Sequence, residues 1–253
     1  MEGIRDADML GTQGLIKTFG GLIAIDNVTF EIEKGELSSI IGPNGAGKTT
    51  LFNLLTGHLL PDSGKVIFNG KDITRLPPYE ICRMGIGRSF QHINIFPRLS
   101  VFDNVQAAVL SRKGKFVNIF SPAKNMVKKE TIQVLETVDL DDKRSMPAEL
   151  LAYGDQKRLE IGIALALQPM LLLLDEPTAG MSPEETAGIA TLINRVVQNQ
   201  GLTALFVEHD MSVVFGISQK IRVMHLGRII ATGTPEEIRA DDQVQRIYLG
   251  EEL

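Results

Sequence analysis

The sequence predicts an α/β fold built on a mainly parallel core sheet, and three stretches predict it. Gly42-Pro43-Asn44-Gly45-Ala46-Gly47-Lys48-Thr49-Thr50 fits the phosphate-loop pattern GxxxxGK[ST], between a strand-like run at 37–41 and a helical pattern at Leu51, Leu54, Leu55 and Leu59. Leu171-Leu172-Leu173-Leu174 is a continuous apolar run, as a strand covered on both faces requires, and it ends in Asp175-Glu176. Residues 202–207, apolar but for Thr203, read as a second buried strand, ended by Glu208-His209-Asp210. Buried strands of parallel sheets bring their carboxyl ends to a common ligand crevice.

The first stretch names a chemistry. Its glycines let backbone N–H groups turn inward around a polyphosphate, and the helix that it opens adds positive potential at its N-terminus. Lys48 then reaches the β/γ-phosphates and the Thr49 hydroxyl meets Mg²⁺, so an ATP or GTP site is expected. Asp175, at a strand end facing that loop, is expected to ligate Mg²⁺ directly or through water, and Glu176 is the candidate base for an attacking water. His209 follows the second buried strand and is placed to hydrogen-bond a γ-phosphate. Gln91 ends a further strand-like segment, 84–91. Phe19 is either a core phenylalanine or an aromatic placed to stack on a base.

Composition sets bounds. With 253 residues, 43% of them hydrophobic, the chain can bury a substantial core. A net charge of −5 argues against nucleic acid as the primary partner. Cys82 is the single cysteine, so no internal disulfide forms, and a semi-buried small residue is expected there. The longest apolar run, 161–167, is far short of the ~20 residues that a membrane span needs. The N-terminal stretch carries Glu2, Asp6 and Asp8 without a cationic segment before an apolar one, so no secretory signal is expected.

In chain order, β-type segments at 15–19 and 28–33 flank Gly20-Gly21, and two short strands surround Asn69-Gly70. The phosphate-loop helix is expected over 49–60 and a short helix from Pro77-Pro78 to Arg83. Helical spacing returns at 101–110 and 127–138, and the basic residues Arg112, Lys113, Lys115, Lys124, Lys128 and Lys129 between and around them suit a solvated face or anionic lipid. Residues 149–168 read as one long helix with a tight loop, 151–156, at its start. Ser182-Pro183-Glu184-Glu185 and Thr234-Pro235-Glu236-Glu237 are capping patterns that open helices, the first running to Gln200. A hairpin is expected at 220–225 and 228–232, and a last helix at 243–249.

A phosphate loop, a strand-terminal glutamine, a glycine loop before a helix, four leucines with Asp-Glu and a strand-terminal histidine follow one another in an order that resembles the ATP-binding subunits of ABC transporters. The resemblance covers nearly the whole chain. It implies a P-loop NTPase fold of the ABC ATPase kind, a single domain with a mainly parallel core sheet, an antiparallel β subdomain, a helical subdomain within about 92–165 and short C-terminal helices at about 235–253. By it Gly42, Pro43, Asn44, Gly45, Ala46, Gly47, Lys48, Thr49 and Thr50 bind ATP, Thr49, Gln91 and Asp175 serve Mg²⁺, Phe19 stacks on adenine, and Lys48, Gln91, Glu176 and His209 serve hydrolysis. The signature motif, usually LSGGQ, is here Leu151-Ala152-Tyr153-Gly154-Asp155. There the backbone of Ala152, Tyr153 and Gly154 would take over from the missing serine hydroxyl. Ser182 stands where the family commonly has aspartate.

These departures, with Ala179-Gly180-Met181-Ser182-Pro183 and the ending Gly233-Thr234-Pro235…Tyr248-Leu249-Gly250, resemble the ATPase subunit of branched-chain amino-acid importers. Importers of urea or short-chain amides are the alternative. The resemblance implies a head-to-tail pair with a second ATP-binding subunit, identical or not, two integral membrane permease subunits, a solute-binding protein reached through them, and a peripheral place on the cytoplasmic face of the membrane. A soluble ABC ATPase acting on DNA or the ribosome is a weaker fit, because such chains usually carry two cassettes or long coiled-coil insertions.

Overall fold

The computed structural model describes residues 8–89, 94–114 and 127–249. From the N-terminus, β1 (Asp8–Phe19) and β2 (Leu22–Glu33) form a hairpin, β3 (Leu37–Ile41) enters the core, and α1 (Lys48–Leu55) follows the phosphate loop. Next come β4 (Ser63–Phe68), β5 (Lys71–Asp72), α2 (Pro78–Met84) and β6 (Ile86–Arg88). Three helices, α3 (Val101–Lys113), α4 (Lys128–Thr137) and α5 (Tyr153–Ala166), pack on one another and lead to β7 (Leu171–Asp175). The chain continues through α6 (Pro183–Gln200), β8 (Thr203–Val207), α7 (Met211–Ile217), β9 (Lys220–His225), β10 (Arg228–Gly233), α8 (Pro235–Ala240) and α9 (Asp242–Leu249). None of the described helices is long and apolar enough to cross a membrane.

The core sheet has the order β10-β9-β3-β8-β7-β6, parallel except for β10 on β9, and the second sheet, β2-β1-β4-β5, is antiparallel. Period-two alternation sorts the core strands between two hydrophobic bodies. Leu171, Leu173, Leu205 and Val207 face the antiparallel sheet and α1. Leu172, Leu174, Ala204 and Phe206 face the helices α3 to α7. Because β3, β7 and β8 are buried along their whole length, each leucine there contributes about 1.5–3 kcal/mol of transfer free energy. An ion pair fastens the two sheets together: Arg222 on β9 meets Glu36 at 3.0 Å, donates to the Glu31 carbonyl on β2 and lies over the Phe30 ring.

Several boundaries differ from those the sequence suggests. β1 and β2 each run 12 residues, longer than expected, because register shifts near Gly14 (φ +58°) and Asn27 (φ +53°) break the alternation. The phosphate-loop helix stops at Leu55: the Thr56 hydroxyl turns back on the Phe52 carbonyl and Gly57 takes φ +72°. Leu59 still joins the core from beyond the helix. The long helix begins at Tyr153, since residues 148–150 form a separate 3₁₀ turn and Ala152 holds a non-helical ψ of 155°. Helix α7 was not expected; Asp210 opens it by accepting the Ser212 N–H at 2.8 Å. Arg112 and Lys113 both pair with Glu130 of α4, Arg112 half-buried and Lys113 exposed, and Lys128 and Lys129 are likewise exposed, as a solvated face requires. Lys115 and Lys124 lie outside the described residues. Cys82 is exposed rather than semi-buried.

Candidate functional site

The phosphate loop is shaped by backbone that only glycine tolerates. Gly47 caps α1 with φ +103°, and a Cβ there would lie 2.5 Å from the Ala24 carbonyl oxygen. A Cβ on Gly42 would come within 2.1 Å of the Met224 carbonyl oxygen, so the loop is seated against β2 and the end of β9. The Gly227 N–H, at the β9–β10 turn, donates to the Ala46 carbonyl at 3.0 Å and fixes the loop from outside. The first i→i−4 bond of α1 runs from Leu51 N–H to Gly47 (2.9 Å), which leaves the N–H groups of Lys48, Thr49 and Thr50 directed out of the helix start. Lys48 is buried, and its Nζ donates to the carbonyls of Gly42 (2.6 Å) and Pro43 (3.1 Å). Burial lowers its pKa, while Glu176 and then Asp175 act to raise it, so both carboxylates lie within electrostatic reach of the loop lysine.

Those carboxylates are delivered by β7. Its parallel register with β8 pairs Asp175 with Val207, which sets Glu176 beside Glu208 and His209 at the carboxyl ends of adjacent strands. Glu176 adopts φ +49°, a left-handed conformation costly for a non-glycine residue, and its N–H donates to the Val207 carbonyl at 3.0 Å. The strain aims the side chain across the strand ends, and Glu176 Oε1 stands 3.3 Å from His209 Nε2. Asp175 is buried and held by Arg88, whose NH2 lies 3.0 Å from Oδ2 while its NH1 donates to Asn53 (2.7 Å) and Thr56 (3.0 Å). Helix α1 and strand β6 thus orient the aspartate jointly.

A hard divalent cation fits this donor set. Mg²⁺ takes oxygen ligands, commonly one or two from protein with the rest from phosphates and water. The Thr49 hydroxyl, exposed on the first turn of α1, and the Asp175 carboxylate are such oxygens. No cluster of three or more metal-binding side chains exists among the described residues, so the ion's remaining ligands would have to come from the nucleotide and water.

The structure brings Lys48, Asp175, Glu176 and His209 together. Phe19 stands at the end of the β1–β2 hairpin, 46% exposed, with the Lys17 ammonium 5.6 Å from its ring centroid, so it is not a core residue. Ala152 is the N-cap of α5, Tyr153 is exposed, and Gly154 is packed so closely on α6 that a Cβ would lie 3.0 Å from Glu185 Oε1. The Ser182 hydroxyl is committed to its own helix in a complete capping box with Glu185. Gln91 lies outside the described residues. Sequence reasoning did not single out Arg88 or Glu208. The one signal for Glu208 was a carboxylate directly after a fully buried strand.

Comparison with known proteins follows the same lines. Residues 25–179 match the ABC transporter family, and residues 228–253 match the branched-chain amino acid ATP-binding cassette transporter family. The chain is 42% identical over 250 residues to the high-affinity branched-chain amino acid transport ATP-binding protein LivG of Salmonella typhimurium, covering 96% of this chain and 98% of that protein. With the same coverage it is 38% identical to the corresponding protein BraF of Pseudomonas aeruginosa. The crystal structure of MJ1267, an ATP-binding cassette of an ABC transporter in its ADP conformation, superposes with a TM-score of 0.84 at 31% identity, covering 96% of this chain and 99% of that one. A dimeric post-hydrolysis cassette bound to ADP and phosphate, MJ0796, superposes with a TM-score of 0.76 at 26% identity, covering 90% and 99%. With its phosphate loop, its strand-end carboxylates and these relatives, the chain belongs to the ABC transporter family and is an ATP-binding cassette with ATPase activity.

Proposed function

We propose that this chain is the ATP-hydrolysing subunit of an importer of branched-chain amino acids, paired with a second ATP-binding subunit beneath two membrane permeases on the cytoplasmic face. The observation that carries the catalytic part is the 3.3 Å approach of Glu176 Oε1 to His209 Nε2 beside the phosphate-loop lysine. In this reading Lys48 and the N–H groups of the loop hold the β- and γ-phosphates, and Thr49 and Asp175 hold Mg²⁺, which supplies charge neutralisation on the phosphates. Glu176 orients the attacking water and takes its proton, and His209 donates to a γ-phosphate oxygen. Phe19 stacks on the adenine, Gln91 serves the metal side of the site, and the backbone at Ala152, Tyr153 and Gly154 faces the nucleotide of the partner subunit.

The solute follows from two supports: the curated relatives at 38–42% identity, named for branched-chain amino-acid transport, and the match of residues 228–253 to the family of that name. A solute-binding protein outside the membrane would act on this chain only through the permeases.

The decisive experiment is Glu176→Gln. Hydrolysis falls by roughly 10²-fold or more, the usual scale of a general-base contribution, while ATP binding persists. Turnover within about threefold of the unaltered protein would move the base elsewhere. For the solute, leucine uptake lost on deleting this chain is restored by the wild type and not by Glu176→Gln; uptake unaffected by the deletion would refute the transport assignment.

A further inference from the structure

Glu208 takes a carboxylate into the protein interior, 3% exposed, and among the described residues no lysine or arginine forms an ion pair with it. Such a group is held only where donors meet its oxygens. Oε1 accepts the Thr178 N–H at 2.8 Å and the Thr178 hydroxyl at 2.6 Å, and Oε2 accepts the N–H of His209 at 3.0 Å. Both carboxylate oxygens are thus hydrogen-bonded, one to Thr178 and the other to the His209 backbone.

The two residues that it joins lie in different loops. Thr178 belongs to the turn after β7, two residues beyond Glu176, and His209 to the turn after β8. Those turns are tied by the Glu176 N–H to the Val207 carbonyl, and their side chains meet where Glu176 Oε1 approaches His209 Nε2. Glu208 closes the remaining side of this frame. We infer that Glu208 is a positioning residue for ATP hydrolysis: by clamping Thr178 to the His209 backbone it sets the separation of Glu176 and His209. The same clamp links His209 to the segment that enters α6, because Thr178 in turn accepts the Met181 N–H at its carbonyl (3.2 Å) one residue before the Ser182 cap. A displacement of the loop before α6 is therefore felt at the histidine. This inference rests on the catalytic reading of Glu176 and His209.

The test uses the full chain with Glu208→Gln, Thr178→Val and the double variant, alongside Glu176→Gln. The amide is isosteric, yet its NH₂ faces either the Thr178 donors or the His209 N–H, so one side of the clamp opens. Expected are a fall in kcat of at least tenfold in Glu208→Gln with the ATP dissociation constant within twofold, a smaller fall in Thr178→Val, and a double variant no slower than Glu208→Gln alone. The His209 ring resonances, followed by NMR through a pH titration, shift in Glu208→Gln and stay in place in the core variant Ile189→Val. Unchanged kcat, a double variant whose losses multiply, or unmoved His209 resonances in folded Glu208→Gln would overturn the inference. If Glu208→Gln does not fold, Thr178→Val decides, because it removes only the 2.6 Å hydroxyl bond; normal kcat and normal His209 resonances there would again overturn it. Wild-type turnover in Glu176→Gln would sink the catalytic reading alone, and the clamp would then stand or fall on the His209 resonances, which are read without turnover.

Discussion

Gly47→Ala separates two costs that a glycine-rich loop conceals. The residue holds φ +103°, and an added Cβ would lie 2.5 Å from the Ala24 carbonyl oxygen and 2.9 Å from Met224 Cε. The left-handed backbone costs an L-residue about 1–2 kcal/mol, and crowding a carbonyl that belongs to a paired strand adds about 1–3 kcal/mol. Gly45→Ala is the matched control, since it has φ +80° with nothing within 4 Å of the new Cβ, and it bears only the first cost. The two variants should differ by the steric share, on the order of 2 kcal/mol. At a urea m-value of about 2 kcal/mol/M, midpoints followed by circular dichroism should lie roughly 1 M apart, Gly47→Ala being lower. ATP affinity should fall in Gly47→Ala as well, because relieving the clash moves the start of α1. Equal midpoints for the two variants would refute the claim that the loop is seated on β2.

Phe19→Ala should raise the ATP dissociation constant several-fold, the scale of one stacking contact, whereas Phe19→Tyr should leave it unchanged; equal affinities for all three proteins would deny the stacking role. Ala152→Asp adds a carboxylate at the N-cap of α5, where it favours the helix, yet it should block hydrolysis and spare ATP binding by the isolated chain. Mixed with Lys48→Ala chains it should regain partial activity if the pair can form, and loss of ATP binding in the isolated Ala152→Asp chain would mean that the loop contacts its own nucleotide. Asp62 has its pKa pulled down to about 2, first by Lys17 and then by the Thr18 hydroxyl and N–H. A depressed carboxyl pKa stabilises above the unfolded value and loses that contribution as pH falls through the folded one. Asp62→Asn should therefore lower the melting temperature at pH 7, and the gap should close between about pH 4 and pH 2; a constant gap across that range would refute the depressed carboxyl pKa as its source.

Much of the site could be read from the sequence because its chemistry sits at element ends that carry local marks. Glycines with positive φ, an apolar run ended by two acids and a histidine after a buried strand are each legible over a few residues. The capping boxes at Ser182 and Thr234 were legible for the same reason and are complete in the structure. What escaped were features decided across the fold. Arg88 gains its role only when parallel pairing lays β6 beside β7 and brings α1 under both. Glu208 gains its role only when the turn after β7 folds over β8. The lengths of β1 and β2 were hidden because their bulges interrupt the alternation from which strands are read.

The sorting of Leu171 to Leu174 between two hydrophobic bodies makes those leucines a ruler for chemistry. Deleting Leu174 would leave two poor choices. Keeping the leucine faces in place draws Asp175 one position back along the strand, away from its level with Val207; keeping Asp175 level turns each remaining leucine toward the opposite body. Protein engineers who graft nucleotide sites onto new sheets would accordingly do well to transplant the strand with its whole alternation. The acids alone carry no record of how far they must reach.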